Sequence, residues 1–312
     1  MRAWEKLLSM KLSTIDYRGA AALRLETGAL ALEVTTGVGP RITSLRSKKG
    51  KAGNLFLEMP ADEKRAGELL LRGGHRLWHA PEHIVRTYQP DDEPCALKPV
   101  KNGIALAQPT EAKTGIQKAV KIELIGDRTI KVTHALTNHG LWPVETACWA
   151  LTMFRDGGYG VLPLFPKGDH ASGDLLPAYS LVPWTYTDLS LDGWDLHRDY
   201  FGVDVPAFEI AQKLGITGYP GWSAYYFGGT TFVKTAKIIA GATYPDRGCP
   251  FELFTNGKMM ELETLSPLVT LAPGDSVQHV EHWTLFDGLK EPSTDGAFAA
   301  LNAEVGKWLK GL

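Results

Sequence analysis

Short runs in which apolar and polar residues alternate, each closed by a turn, recur from one end of this chain to the other. The segments 29–34, 103–107, 120–125 and 129–134 all show this period of two, and Gly126-Asp127-Arg128 joins the last pair as a hairpin turn. Segments 224–227, 231–234, 237–241, 251–254 and 258–263 share the texture, and 271–276 turns into a longer run over 277–286. Successive side chains of a strand point to opposite faces, so each run offers one apolar face that must be covered. Many such runs at regular spacing predict an all-β sandwich. The 33 glycines and 19 prolines among 312 residues supply the turns that this requires.

Helical periodicity is confined to two places. Asp204-Val205-Pro206, followed by Phe208, Ile210, Ala211 and Leu214 and closed by Gly215, predicts a short helix with Asp204 as its cap. Phe298, Leu301, Val305, Trp308 and Leu312 recur at intervals of three and four, which predicts an amphipathic C-terminal helix within 293–312, lying on the sheet edge. The stretch 179–220, rich in aromatics and Asp, reads as long loops around the first of these helices. No Pro- or Ser-rich linker and no repeat divides the chain, so 1–312 is expected to form one domain, with 1–10 as a dispensable extension and Met10 as an alternative start.

Composition narrows the function classes. Lys and Arg number 33 against 35 Asp and Glu, a net charge of −2, which argues against nucleic acid as a partner. Charges at Arg2, Glu5, Lys6 and Lys11 leave no apolar core for a signal peptide, and no stretch reaches the roughly 18 to 20 apolar residues of a membrane span. A cytoplasmic protein without a membrane partner is expected. Cys95, Cys148 and Cys249 are widely spaced and odd in number, so buried free thiols are expected rather than a disulfide framework.

Two segments concentrate chemistry. The first runs Arg72-Gly73-Gly74-His75-Arg76-Leu77-Trp78-His79-Ala80-Pro81-Glu82-His83. Its glycines allow close backbone approach to a ligand, and its Arg, His, Trp and Glu side chains offer donors, acceptors and an aromatic face, an inventory that suits a polyol. The same residues can equally form a polar loop with ordinary hydrogen-bonded histidines. His75, His79 and His83 also have the i, i+4, i+8 spacing of a helical metal site, but Gly73-Gly74 and Pro81 break the helix it needs, so no metal is expected. The second segment, 244–263, ends on Glu261 and Glu263, which in a strand share one face while Leu262 takes the other. Paired carboxylates of this kind can act as a base or as a hydroxyl clamp, or can simply line a solvated strand. His134 reads as a buried strand histidine, His279, Glu281 and Trp283 as structural, and Lys234 as a surface lysine or an anion ligand.

Taken in order, these motifs resemble the galactose mutarotase-like superfamily, which includes the aldose 1-epimerases and hexose-6-phosphate 1-epimerases. The resemblance is carried by Gly37-Val38-Gly39-Pro40-Arg41-Ile42, by Arg72-Gly73-Gly74 with Leu77-Trp78, and by Leu136-Thr137-Asn138. The stretch 251–256 with Leu262-Glu263-Thr264 and Leu271-Ala272-Pro273-Gly274 extends it. It implies a β-supersandwich with a sugar cleft, Glu263 as the general base that takes the anomeric proton, a histidine that protonates the ring oxygen, and no cofactor. Where the family carries that histidine, this chain reads Cys148-Trp149-Ala150-Leu151.

His75 is the leading substitute for that acid, with His79 next and His134 after it. Arg72, Arg76, Trp78, His79, Glu82, Trp149, Asp246 and Glu261 are the expected ligands of a mono- or oligosaccharide. Trp149 would be a stacking wall, though a core tryptophan is an equal reading. Anomer interconversion is the leading activity. Glycoside hydrolysis or polysaccharide cleavage on the same fold, and sugar binding without catalysis, are the alternatives. Oligomeric state leaves no mark in the sequence.

Overall fold

The alternating runs become strands, apart from 237–241, which lies in the connection after strand 230–236. The structure is a computed structural model that describes residues 10–64 and 68–312. The segment 1–10 expected as a dispensable extension lies outside the described residues apart from Met10. The strands, in chain order, are β1 (Lys11–Tyr17), β2 (Ala20–Glu26), β3 (Leu30–Thr35), β4 (Ile42–Ser47), β5 (His75–Ala80), β6 (Ala96–Val100) and β7 (Gly103–Ala107). They continue with β8 (Ile116–Leu124), β9 (Thr129–Asn138), β10 (Val144–Arg155), β11 (Tyr159–Pro163), β12 (Leu181–Pro183), β13 (Trp194–Leu196) and β14 (Tyr200–Asp204). The last seven are β15 (Gln212–Ile216), β16 (Trp222–Phe227), β17 (Thr230–Ala236), β18 (Phe251–Thr255), β19 (Met259–Leu265), β20 (Val269–Leu271) and β21 (Ser276–Asp287).

Two large antiparallel sheets result, as the all-β sandwich reading requires. The first has the order β1-β2-β3-β4-β5-β10-β19-β18-β15-β12, with β20 added beside β10, and the second the order β13-β14-β11-β16-β17-β21-β9-β8-β7-β6. The chain leaves the first sheet after β5, lays down the β6–β9 meander in the second, and returns through β10 to pair with β5. The predicted hairpin joins β8 to β9, where the Ile125 and Gly126 amides both donate to the Thr129 carbonyl. One contiguous apolar cluster lies between the sheets, drawing Leu32, Leu77, Phe154 and Leu262 from the first and Ile122, Val132, Phe232 and Trp283 from the second. Burial of this much apolar surface is the main force holding the layers together.

Two element expectations are corrected. No helix spans 204–215: a single 3-10 turn occupies Val205–Ala207, and Gln212–Ile216 is strand β15. Leu214 and Ile216 enter the core from this strand, and pairing with β12 and β18 gives its backbone the partners that a helix would have made internally. The stretch 179–220 accordingly holds four short strands, β12 to β15. The C-terminal helix does form, over Asp295–Leu309, capped by the Thr294 hydroxyl. It covers a sheet face and not an edge: Phe298, Leu301 and Val305 pack on Tyr159, Val161, Tyr200, Trp222, Ala224 and Val233. Since Tyr225 and Phe232 of the same strands point into the inter-sheet core, this is the outer face of the second sheet. No helix among the described residues is long and apolar enough to cross a membrane. All three cysteines are free, and burial pushes the Cys148 and Cys249 thiols up to about 12.

Candidate functional site

The outer face of the first sheet, opposite the core, carries the residues of interest because strand register lines them up. Arg76 of β5 stands across from Leu151 of β10, Leu151 from Glu263 of β19, and Glu263 from Glu252 of β18. The next row on one side is Trp78, Trp149 and Leu265. On the other side Met153, Glu261, Phe254 and Lys213 follow one another across β10, β19, β18 and β15. The paired carboxylates Glu261 and Glu263 therefore do share one face, and Leu262 enters the core. A small pocket of about 90 Å³ opens over these rows, with Glu82, Tyr88 and Tyr186 at its side.

The arginine and the lysine of the pocket each meet carboxylates. Arg76 donates to Glu261 at 2.7 Å, with its guanidinium carbon 4.2 Å from the centre of the Trp78 ring. Lys213 Nζ lies 2.9 Å from Glu263 Oε2 and 2.7 Å from Glu252 Oε2, and 4.5 Å and 4.8 Å from the ring centres of Trp149 and Trp184. The Trp149 indole N–H donates to the same Glu263 oxygen at 2.7 Å. Glu252 and Glu263 oppose each other directly on antiparallel strands, a destabilising arrangement for like charges unless something comes between them. Lys213 does so. One ammonium cannot offset two buried carboxylates, so burial, helped by Glu263 and Asp246, pushes Glu252 well above the usual carboxylate range. Burial opposes the Lys213 charge, but the two carboxylates outweigh it and raise the amine above its ordinary value. Burial likewise raises Glu261, against the pull of Arg76.

Several buried polar atoms at this pocket remain without a protein partner among the described residues. They include Glu263 Oε1, Glu252 Oε1 and the Nε and Nη1 groups of Arg76. An unpaired buried acceptor beside unpaired buried donors costs free energy that a ligand carrying both kinds of group recovers.

The histidines are elsewhere. His75 and His79 lie on β5 with the opposite parity to Arg76 and Trp78, and both point between the sheets. The expectation that His75 stands as the acid opposite Glu263 is therefore corrected, as is that of His79 as a ligand: a sheet separates them from the pocket. His75 Nε2 meets His134 Nε2 at 2.7 Å, its Nδ1 meets the Thr152 hydroxyl at 2.9 Å, and His134 Nδ1 donates to the His279 carbonyl. His279 in turn meets Thr264, which donates to Glu281, and Trp283 and Lys234 donate to the same carboxylate. Ligand atoms of His75, His134 and Glu281 fall within 4.8 Å of one another, close enough for an ion. Every one of them already has a partner, however, and the Lys234 ammonium, 2.7 Å from Glu281, provides the positive charge there. Burial lowers all three histidines, His279 to about 3, so they are neutral members of a structural network. Lys234 is thus neither a surface lysine nor an anion ligand. His79 sits further along the same interface, 3.7 Å from Glu111, which also pairs with Lys118 at 2.6 Å.

Two further expected ligands are out of reach. Arg72 pairs with Asp91 at 2.8 Å and with Asp92, and Asp91 also holds the buried Arg41 at 2.9 Å, so this arginine anchors the entry to β5. Gly73 and Gly74, both at positive φ, approach backbone rather than ligand: a Cβ would fall 2.1 Å from the Leu57 carbonyl at the first and 2.3 Å from that of Ile42 at the second. Asp246 sits half-buried in the turn Pro245–Gly248 and acts on the pocket only by repelling Glu252. Arg76, Trp78, Glu82, Trp149, Glu261 and Glu263 are brought together as expected. Lys213 and Glu252 were missed. Their signal lay in parity: Lys213 is an outward residue between the inward Gln212 and Leu214, but a helix assignment over 204–215 conceals it.

No protein-family profile matches the sequence, and no curated protein matches it. Solved structures do. A galactose mutarotase-like protein from Lactobacillus casei shares 11% identity over 88% of this chain and 100% of its own, with a TM-score of 0.55. A galactose mutarotase-like protein from Clostridium acetobutylicum shares 13% over 91% and 100%, with a TM-score of 0.53. A TPR-domain containing protein from Parabacteroides distasonis matches at 13% identity over 88% of this chain and a TM-score of 0.58, and this chain spans only 49% of its length. The resemblance read from the motifs is thereby borne out at the level of fold.

Proposed function

We propose that this chain, whose fold is that of the galactose mutarotase-like proteins, binds a sugar in the outer-face pocket and interconverts its anomers, with Glu263 as the general base. The observation that carries the reading is the unpaired Glu263 Oε1 in a pocket walled by Trp78 and Trp149. A carboxylate oxygen buried without a donor calls for a hydroxyl, and indole faces suit the apolar C–H face of a pyranose. Arg76, through its free N–H groups, and Glu261 serve as hydroxyl ligands on this reading. The anomeric hydroxyl donates to Glu263, ring opening follows as that proton leaves, and rotation of the aldehyde before closure yields the other anomer.

The test is the rate at which anomers of free aldoses equilibrate, followed by polarimetry. Glu263→Gln is expected to lower the catalysed rate by about 100-fold or more, the usual worth of a positioned general base. An unchanged rate across the panel overturns the reading. The absence of histidine from the pocket among the described residues favours one other reading, sugar binding without turnover. That reading predicts ligand-dependent thermal stabilisation with no acceleration of equilibration. Release of new reducing ends from oligosaccharides would point instead to hydrolysis on the same scaffold.

A further inference from the structure

We infer that Lys213 is the acid partner of Glu263, and that the two act as one contiguous bifunctional pair on the hemiacetal carbon. This rests on the anomer-interconverting reading above and supplies the proton donor that reading lacks.

The geometry is specific. An acid and a base for mutarotation must reach the anomeric hydroxyl O1 and the ring oxygen O5. Both oxygens are bonded to C1, so they lie closer together than two hydrogen-bonded atoms. Lys213 Nζ of β15 is hydrogen-bonded to Glu263 Oε2 of β19 at 2.9 Å, which holds the ammonium next to the carboxylate whose other oxygen, Oε1, is free to meet a ligand. A histidine across the sugar is not required by such an arrangement. Lys213 carries three N–H donors, and its polar partners among the described residues are two carboxylates, which leaves one donor for a ligand. Arg76 is held by Glu261 at 2.7 Å, and Tyr88 donates its hydroxyl to Glu82. Trp149 fixes the carboxylate by donating to Glu263 Oε2, so the unpaired Oε1 is the atom that faces an incoming hydroxyl.

The step balances within the pair. Glu263 takes the proton from O1 as Lys213 delivers one to O5; the C1–O5 bond breaks, its electrons remain on O5, and C1=O1 forms. The aldehyde turns about C1–C2. Closure runs the transfers backwards on the other carbonyl face, O5 returning its proton to the Lys213 amine and Glu263 re-protonating O1, so carboxylate and ammonium are restored without solvent. Glu252, 2.7 Å from Nζ, is a positioning residue that helps hold the ammonium beside Glu263.

The test measures equilibration of α-D-glucose and α-D-galactose by wild type, Lys213→Arg and Lys213→Gln, with sugar binding followed by tryptophan fluorescence. Arginine keeps the positive charge beside Glu252 and Glu263 but withholds its proton. Both variants are expected to lose about 100-fold or more in kcat, while Lys213→Arg binds sugar within about threefold of wild type. Lys213→Arg turning over within about threefold of wild type would remove the acid role and leave Glu263 as base intact. A wild-type chain that accelerates neither sugar, nor any other free aldose, defeats the underlying reading and this inference with it. One measurement needs no variant: two protons moving in one step make the wild-type rate depend quadratically on the deuterium fraction of the solvent, and a linear dependence overturns the bifunctional step.

Discussion

Lys213 and Lys234 show how far a residue's neighbours decide its role. Both are lysines in apolar strands with almost no exposure. Lys234 points inward, where Glu281, the Leu262 carbonyl and Thr152 accept its hydrogen bonds, and it serves as a structural counter-charge. Lys213 points outward, into a row of carboxylates beside a pocket. Glu252, the third member of that row, allows a pH test. Its carboxyl is raised in the folded state, so the folded protein binds its proton more tightly than the unfolded chain does. The resulting stabilisation is present below the unfolded carboxylate pKa and is lost as pH rises through the folded value. Glu252→Gln replaces a protonated carboxyl with a neutral isostere, so denaturant midpoints of wild type are expected to fall between pH 5 and pH 9 more steeply than those of the variant. Parallel profiles would mean that Glu252 is ionised in the native protein.

At the scale of elements, parity in β5 explains which residues reach the pocket. A strand that sends Arg76 and Trp78 outward must send His75 and His79 inward, and no side-chain rotation undoes that. Period two is readable in the sequence for β19, which is why Glu261 and Glu263 are paired there; segment 72–83 reads as a loop, which conceals the opposite parity of His75 and Arg76 in β5. For β15 the apolar spacing also fitted a helix, and only pairing with β12 and β18 resolved the ambiguity. The C-terminal helix was readable because its stripe of Phe298, Leu301 and Val305 extends over several turns. It packs on the outer face of the second sheet, remote from the pocket on the outer face of the first. Leu301→Ala is expected to cost about 2–5 kcal/mol in chemical denaturation, the usual range for a buried leucine, and to leave sugar binding unchanged. A loss of binding at constant fold would show that the two faces communicate.

At the scale of the whole molecule, the two sheets share one apolar cluster and one buried polar network. Glu281 illustrates the coupling: burial alone would raise its carboxyl, but the Lys234 ammonium on the neighbouring strand of its own sheet holds it well below the usual range, and Thr264 of the other sheet donates a hydrogen bond to it. Contacts of this kind are expected to couple both sheets in a single unfolding event. Far-UV circular dichroism and tryptophan fluorescence are expected to report coincident transitions for the full chain, as one cooperative unit requires. Separated transitions would divide the chain into independently folding parts.

The sequence alone determined the class of fold, the β8–β9 hairpin, the terminal helix and the pairing of Glu261 with Glu263, because each rests on local periodicity. It could also rank segments 72–83 and 244–263 as chemically rich. Only the tertiary structure decided which face of each strand became pocket and which became core. It withdrew His75, His79, Arg72 and Asp246 from the site, and it brought in Lys213, which lies 50 residues from Glu263 in the chain and 2.9 Å away in space. The physical reason is that alternation specifies two faces for a strand but does not say which one the opposing sheet will cover. That depends on the register of strands distant in sequence, where the burial of apolar surface and the pairing of buried charges are settled together.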